Sequence, residues 1–270
     1  MPRISELFVY PVKSCAAIGM SEVSIVPTGF EYDRNWMVVD ADGAFVTQRE
    51  QPSLALVTPQ IGDGGVTLQA PGMVPLDLSA DDGEGPVMIT LFGESHRAIA
   101  TSAAADAWVS QYLDGPFRLV RCDPRTLRPG GVQYPERDAA PTSFVDNYGV
   151  LVISQASHAA LNRKLPEALP MNRFRPNIVL SGVEDHDEDY ISHARCGAVA
   201  LRFINPCFRC NLTSIDQQIG RPGLDPLPVL ATYRYDEAAK GVKFGAYAAI
   251  SQGIGGRLHV GSDIEVDWSF

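Results

Sequence analysis

The sequence predicts a mainly β fold with a minor helical part, of the α+β kind, on three observations. Short runs rich in β-branched and aromatic residues recur along the chain, turn residues separate them, and only two segments have helical character. Residues 4–10, 23–26, 36–40 and 44–47 read as strands, and Asp40-Ala41-Asp42-Gly43 is placed to turn the last two into a hairpin. Residues 87–92, 117–121, 150–153, 177–180, 199–204 and 264–268 add further strands. One helix is expected after Thr101-Ser102, where either hydroxyl can cap a run carrying Ala107, Trp108, Val109, Tyr112 and Leu113. A second starts near Ser154, passes through Ala160, Leu161 and Leu165, and is stopped by Pro166 or Pro170. Residues 123–141 are dense in Pro, Gly and Arg without periodicity and read as a long functional or mobile loop. A domain boundary is expected near residue 120, and neither a repeat nor a low-complexity tract is present.

A chain of 270 residues fits one large domain or two of modest size, with ample core. Hydrophobic residues at 45% and charged residues at 20% argue against disorder and fibrous structure. With 22 Lys and Arg against 32 Asp and Glu, the net charge is −10, which argues against a protein that coats nucleic acid or an anionic membrane. Any anion it binds must be met by a local cationic pocket. The N-terminus runs straight into a strand pattern without the features of a signal peptide, and no uncharged run approaches the roughly 18 apolar residues of a membrane span. The expectation is a cytoplasmic protein with neither nucleic-acid nor membrane partners. Cys15, Cys122, Cys196, Cys207 and Cys210 are odd in number in a chain with no export signal, so reduced thiols are expected.

The sharpest local feature is Asn205-Pro206-Cys207-Phe208-Arg209-Cys210-Asn211 at the end of a strand. A thioredoxin-like redox pair would open a helix, whereas Leu212-Thr213-Ser214-Ile215 looks extended. A zinc site would add His193 and Cys196 upstream, but 198–203 reads as one unbroken strand, and the ten residues between Cys196 and Cys207 span roughly 30 Å when extended. Two buried cysteines acting as small hydrophobes remain the bland alternative. The acidic run 184–189 reads as a solvated loop rather than a metal cluster, because adjacent acids repel and lack a fixing scaffold; it is also a place to meet a basic partner. His96, His158 and His259 have no nucleophile at motif spacing, and no GxGxxG is present.

Other motifs converge with the CxxC. Tyr10-Pro11-Val12-Lys13-Ser14-Cys15, Asp33-Arg34-Asn35-Trp36, Thr47-Gln48-Arg49, Phe174-Arg175-Pro176-Asn177-Ile178-Val179, Cys207-Phe208-Arg209-Cys210-Asn211-Leu212-Thr213-Ser214-Ile215-Asp216 and Phe244-Gly245-Ala246-Tyr247 occur in this order. Together they resemble the MOSC-domain proteins preceded by a MOSC N-terminal β-barrel domain, and within that group the mitochondrial amidoxime-reducing components and their bacterial counterparts. The resemblance runs from residue 4 to about residue 268.

The resemblance implies two β-barrel-like domains with a few short helices, residues 1–118 forming the MOSC N-terminal barrel and 119–270 the MOSC barrel. It implies a molybdenum-molybdopterin cofactor wedged between them, with Cys210 as metal ligand and catalytic residue, a choice that suits a soft thiolate beside the positive charge of Arg209. Lys13, Arg34, Arg175 and Arg209 then hold phosphate and pterin, arginine as a fork and lysine as a point charge. By the same resemblance Ser14 offers a hydroxyl to the phosphate, Asn177 an amide to the pterin edge and Tyr247 a phenol. Phe208 and the segment Asp146-Asn147-Tyr148 complete the expected cofactor contacts, although the types in that segment depart from those of the mitochondrial proteins. Cys207 is expected to be structural, and Asp216 serves equally as a turn-forming carboxylate.

The implied activity is two-electron reduction of amidoximes, hydroxylamines or N-hydroxylated bases. The chain lacks the C-x4-C-x2-C set of a ferredoxin domain, so its electrons are expected from a separate ferredoxin-, flavodoxin- or cytochrome b5-type protein with its reductase. The alternative from another class is a sulfur carrier or cofactor-handling protein in which Cys210 holds a persulfide or serves as a transfer thiol.

Overall fold

The computed structural model describes residues 1–81, 83–131 and 140–269. Part of the expected loop 123–141 therefore lies outside the described residues; within them, Arg128–Pro129 pairs antiparallel with Pro141–Thr142. Among the described residues strands dominate, as the β-rich reading expects, and three α-helices accompany them, Leu227–Arg234 being one beyond the two expected.

The largest sheet carries nine strands drawn from both halves of the chain. Its order is Ile18–Met20, Arg3–Val9, Ile178–Ser181, Val150–Ser154, Gly241–Gln252, Val199–Phe208, Ile191–Cys196 and Glu265–Trp268, with Tyr235–Asp236 added to the Gly241–Gln252 strand. A bulge between Ile4 and Glu6 breaks the alternation of Arg3–Val9, and its buried Ile4, Leu7 and Val9 pack with Val150, Val152, Ile178, Leu180, Leu201 and Ala248. Val150–Ser154 and Ile178–Ser181 run parallel, which requires a crossover, and the helix Gln155–Asn162 supplies it. The first strand of the chain thus sits in one sheet with the second half. The division at residue 118 remains a proposal about sequence modules.

A four-stranded sheet joins Trp36–Val39, Arg118–Cys122, Glu94–Ala100 and Gly85–Leu91. The helix Ala103–Leu113 bridges two of these strands; the Ser102 hydroxyl accepts from the Ala105 N–H at 3.2 Å, and Asp114 ends it in the left-handed region. Trp108, Val109 and Leu113 on this helix meet Trp36, Val38 and Leu119, and the three-stranded meander Thr58–Gly62, Gly65–Gln69, Leu76–Ser79 closes that core with Val66, Leu68 and Leu78.

Several local expectations change. The Asp40–Gly43 turn forms, with Asp40 Oδ1 accepting from the N–H groups of Asp42 and Ala44, but residues 44–47 make only isolated bridges, because Ala44 also pairs across to Thr90 and Thr47 turns back onto Glu50. The second helix stops at Asn162, whose amide ties to the backbone of Leu169, before either proline is reached. Residues 212–214 are not extended, because Asn211–Ser214 is a 3-10 turn with Cys210 O accepting from the Thr213 hydroxyl at 3.2 Å; the chain becomes extended at Ile215, which pairs with Pro222. Cys196 pairs with Val199 at one end of the Val199–Phe208 strand and Cys207 lies near the other. Among the described residues no group of three His, Cys, Asp or Glu is placed to hold a metal ion.

The acidic run is only in part a solvated loop. Glu188 is 1% exposed and accepts from the Ser157 hydroxyl at 2.8 Å, Asp189 pairs with Arg234, and Asp187 Oδ2 caps the Glu184 N–H at 2.8 Å. Glu188 and Asp189 are fixed by neighbours from Ser154–Ser157 and from the helix Leu227–Arg234, neither of which is visible in the run itself, while Glu184 and Asp185 stay exposed as expected. Burial pushes the Glu188 carboxyl up from its ordinary value, with the Ser157 bond opposing. A raised folded-state value means that the stabilisation is complete below the unfolded pKa, near ~4.3, and is lost as pH rises through the folded one. Glu188→Gln should therefore gain stability relative to wild type between pH 4 and pH 8 in urea unfolding; a difference that ignores pH refutes the assignment.

Candidate functional site

Tyr10, 1% exposed, is the hub of the site. Its ring lies 4.1 Å from the Arg34 guanidinium carbon and 4.3 Å from that of Arg175, its N–H donates to Asp33 Oδ1 at 2.9 Å, and its hydroxyl donates to Pro176 O at 3.1 Å. Burial pushes the phenol up to about 12, so it stays a neutral donor and a π surface for the two cations. Asp33 sits behind Arg34 and pairs with it; burial raises this carboxyl, and Arg34 opposes that shift.

Three non-glycine residues at this place adopt the left-handed region: Ser14 (φ 67°), Arg34 (φ 50°) and Arg175 (φ 56°). Such backbone costs of order 1 kcal/mol or more per residue and persists only where the surroundings over-determine it. Here they do. Arg34 N–H donates to Tyr10 O at 2.7 Å, Gln48 donates to Ser14 O at 2.6 Å, and Arg175 Nη1 donates to Cys15 O at 2.8 Å.

All the residues singled out in the sequence border one cavity of about 240 Å³: Lys13, Ser14, Arg34, Asp146, Asn147, Tyr148, Arg175, Asn177, Phe208, Arg209, Cys210 and Tyr247. Most of them arrive from loops at strand ends, whereas Phe208 and Tyr247 lie in strands. Lys13 is 5% exposed; its ammonium donates to Phe144 O at 3.0 Å, pairs with Asp146, and lies 5.2 Å from the Phe92 ring centre. Burial lowers the Lys13 pKa, and Asp146 opposes the shift. Arg175 Nη2 is buried with no hydrogen-bond partner, as is Arg209 Nε. Burial and the neighbouring cations hold Arg175 near 10, still charged at neutral pH.

Cys207 and Cys210 differ sharply. Cys207 is buried and receives a hydrogen bond from Arg209 Nη1 at 3.1 Å. Cys210 is exposed at the cavity, on the residue preceding the 3-10 turn. Arg209 Nη2 donates to Phe174 O at 2.7 Å, so one guanidinium braces the segment and brings positive charge beside both sulfurs. Burial and Cys207 push the Tyr247 phenol well up, which keeps it protonated. Tyr247 reaches the cavity from a strand bulged at Gly245 (φ 81°), where a Cβ would stand 2.9 Å from Val152 O.

Asn177 borders the cavity as expected and is also braced by the backbone around it. Its Oδ1 accepts from Leu151 N–H and Arg34 Nη1, each at 3.1 Å, and its Nδ2 donates to Phe8 O at 3.2 Å, so it is a strut that positions Arg34. Asp216 makes the turn anticipated as its alternative, accepting from Gln218 and Ile219 N–H, and pairs with Arg173 at 2.8 Å.

Sequence reasoning missed two features. The reciprocal amide pair Gln48 and Gln217, at 3.0 and 2.8 Å, ties the Ser14 loop to the segment after Cys210; Gln48 stood in a quoted motif without a role. Phe92 borders the cavity at the first position of the Phe92-Gly93 turn with φ 54°, a place that usually holds Asn, and nothing in the sequence signals it.

Comparison with known proteins follows this geometry. A family model for the MOSC N-terminal beta barrel domain matches residues 1–116, and one for the MOSC domain matches 140–265. The chain is 30% identical over 267 residues to mitochondrial amidoxime-reducing component 1 of Xenopus laevis, covering 92% of this chain and 78% of that protein. It is 31% identical over 284 residues to mitochondrial amidoxime reducing component 2 of Rattus norvegicus, covering 97% and 82%. It is also 30% identical over 268 residues to molybdenum cofactor sulfurase of Danio rerio, 91% of this chain but 32% of that longer protein.

Replacing Asn177 with alanine leaves the Phe8 carbonyl and the Leu151 N–H unpaired in the core and frees Arg34. The expected cost is about 2–4 kcal/mol, read as a lower urea midpoint with an unchanged m-value; an unaffected midpoint contradicts the strut.

Proposed function

Because the chain belongs to the family that joins a MOSC N-terminal beta barrel domain to a MOSC domain and includes the amidoxime-reducing components, we propose that it is a molybdenum-cofactor oxidoreductase that reduces N-hydroxylated compounds. The observation that carries this reading is one cavity bordered both by an exposed thiol, Cys210, and by a buried arginine, Arg175, with an unused donor. An orphaned buried N–H costs free energy unless a ligand accepts from it. A phosphate-bearing, metal-carrying group answers both features at once.

In this reading Lys13, Arg34, Arg175 and Ser14 hold the phosphate and pterin edge, and Cys210 is the protein's thiolate to molybdenum. When bound, the cofactor supplies a metal able to relay two electrons and take up oxygen, the chemistry that reduction of an N–OH compound requires. The chain's own groups do the rest. Arg209 places its positive charge beside Cys210 and fixes its segment through Phe174 O. The phenol of Tyr247 stays protonated and is a donor rather than a base. Substrate approaches by the open side on which Cys210 is exposed, and electrons come from a separate ferredoxin-, flavodoxin- or cytochrome b5-type protein. Among the described residues no helix is long and apolar enough to cross a membrane.

The similarity to part of a molybdenum cofactor sulfurase, together with the accessibility of Cys210, favours a second reading, a sulfur carrier or cofactor-handling protein with a persulfide on Cys210. One experiment separates the two. Protein purified anaerobically from a cofactor-making host should carry near-stoichiometric molybdenum and pterin; Cys210→Ala should lose the molybdenum and Cys207→Ser should keep most of it. Full metal retention without Cys210 overturns the assignment. Absence of metal and pterin with cyanide-labile sulfur on Cys210 selects the carrier.

A further inference from the structure

An acid stands among the cations of the cleft. Lys13 is buried and cannot remain charged there without compensation, and Asp146 provides it through a direct ion pair. The two partners are unequally fixed. Lys13 is held by Phe144 O and lies over two aromatic rings, those of Phe45 and Phe92, whereas the Asp146 side chain is 60% exposed and, among the described residues, its carboxylate pairs with Lys13 alone. Asp33, the other carboxylate nearby, is 2% exposed and committed to Arg34 and to the Tyr10 N–H. Asp146 is therefore the one of these two acids that can swing toward water at the cost of a rotamer change.

We propose that the Asp146 carboxylate competes with an incoming phosphate group for the Lys13 ammonium, so that Asp146 sets how tightly the cleft holds its anion. The inference rests on the reading of the cleft as a phosphate site. A phosphate oxygen and a carboxylate cannot share one ammonium without like-charge repulsion, so the anion either displaces Asp146 or binds beside it with a penalty. Lys13 then exchanges one counter-charge for another and never becomes an uncompensated buried cation. Specificity follows as well: a dianionic phosphate makes a stronger claim on Lys13, Arg34 and Arg175 together than a carboxylate or chloride, so weaker anions are turned away by the resident acid.

The test is isothermal titration of the full-length chain, purified without pterin, with inorganic phosphate. Asp146→Asn should bind phosphate more tightly than wild type, on the order of tenfold, while Arg175→Gln binds it more weakly. Asp146→Ser, which removes the charge with a smaller side chain, should repeat the gain, and unfolding curves verify that each variant is folded. Unchanged or weaker binding by both Asp146 variants, with the loss still seen in Arg175→Gln, overturns the competition and makes Asp146 a contact of the ligand, leaving the phosphate site intact. Phosphate binding by none of the four proteins overturns the competition and the phosphate site with it.

Discussion

The Tyr10 ring carries the guanidiniums of Arg34 and Arg175 at 4.1 and 4.3 Å, an arrangement that two like charges abandon unless their surroundings compensate. Compensation comes from three directions. The ring face attracts both cations, Asp33 neutralises Arg34 from behind, and the carbonyl oxygens of Cys15 and Arg175 accept from the guanidiniums at 2.8 and 3.4 Å. Every one of these groups sits on a loop at the end of a strand, so the sheets must place loops from residues 10–15, 33–36 and 174–177 within a few ångströms of each other. The antiparallel pairing of Arg3–Val9 with Ile178–Ser181 does this directly: it brings the chain leaving the first strand beside the chain entering the other.

That pairing also explains why the site cannot be assigned to one half of the molecule. Asn177 makes the dependence concrete, since one amide joins Phe8 on the first strand, Leu151 on the central parallel strand and Arg34 on the cleft wall. Moving any of the three shifts a cation of the cleft. The left-handed backbones of Ser14, Arg34 and Arg175 point the same way: strain is stored where three loops meet, and the sheet around them supplies the stability that holds it.

How much of this was legible in the sequence depended on how local each signal was. The strands at 4–10, 150–153 and 177–180 were readable because their inward residues are large and aliphatic, and the Ser102 and Ser154 caps because capping is a contact over three residues. The meander Thr58–Gly62, Gly65–Gln69, Leu76–Ser79 was not, because its Gly, Pro and Gln hide the alternation, and the strand Gly241–Gln252 is masked by alanines and by the bulge at Gly245. The helix Leu227–Arg234 carries Pro228 at its start and only Leu230 fully buried, too little for a periodic pattern. At the site, residue types in ordered motifs brought every expected residue to one cavity, yet their duties were not readable. Whether Asn177 faces a ligand or braces Arg34, and whether Glu188 is solvated or buried, depends on partners more than 25 residues away in the chain.

The electrostatics of the cleft run against those of the whole chain. With a net charge of −10, the protein has acids to spare for pairing, and it uses them so elsewhere: Arg234 has Asp189, Arg173 has Asp216, and Asp123 holds both Arg97 and Arg125. In the cleft the ratio inverts. Lys13, Arg34, Arg175 and Arg209 face only Asp33 and Asp146, and Arg175 and Arg209 each retain a buried N–H without an acceptor. A fold with a surplus of carboxylates that sets four cleft cations against two acids gives up stability there, since a further carboxylate would cost only a local rearrangement. Such a deficit is maintained where an anion from outside completes the pairing. In the proposed reading the exposed Cys210 thiol beside it meets a thiophilic centre that the same anion presents.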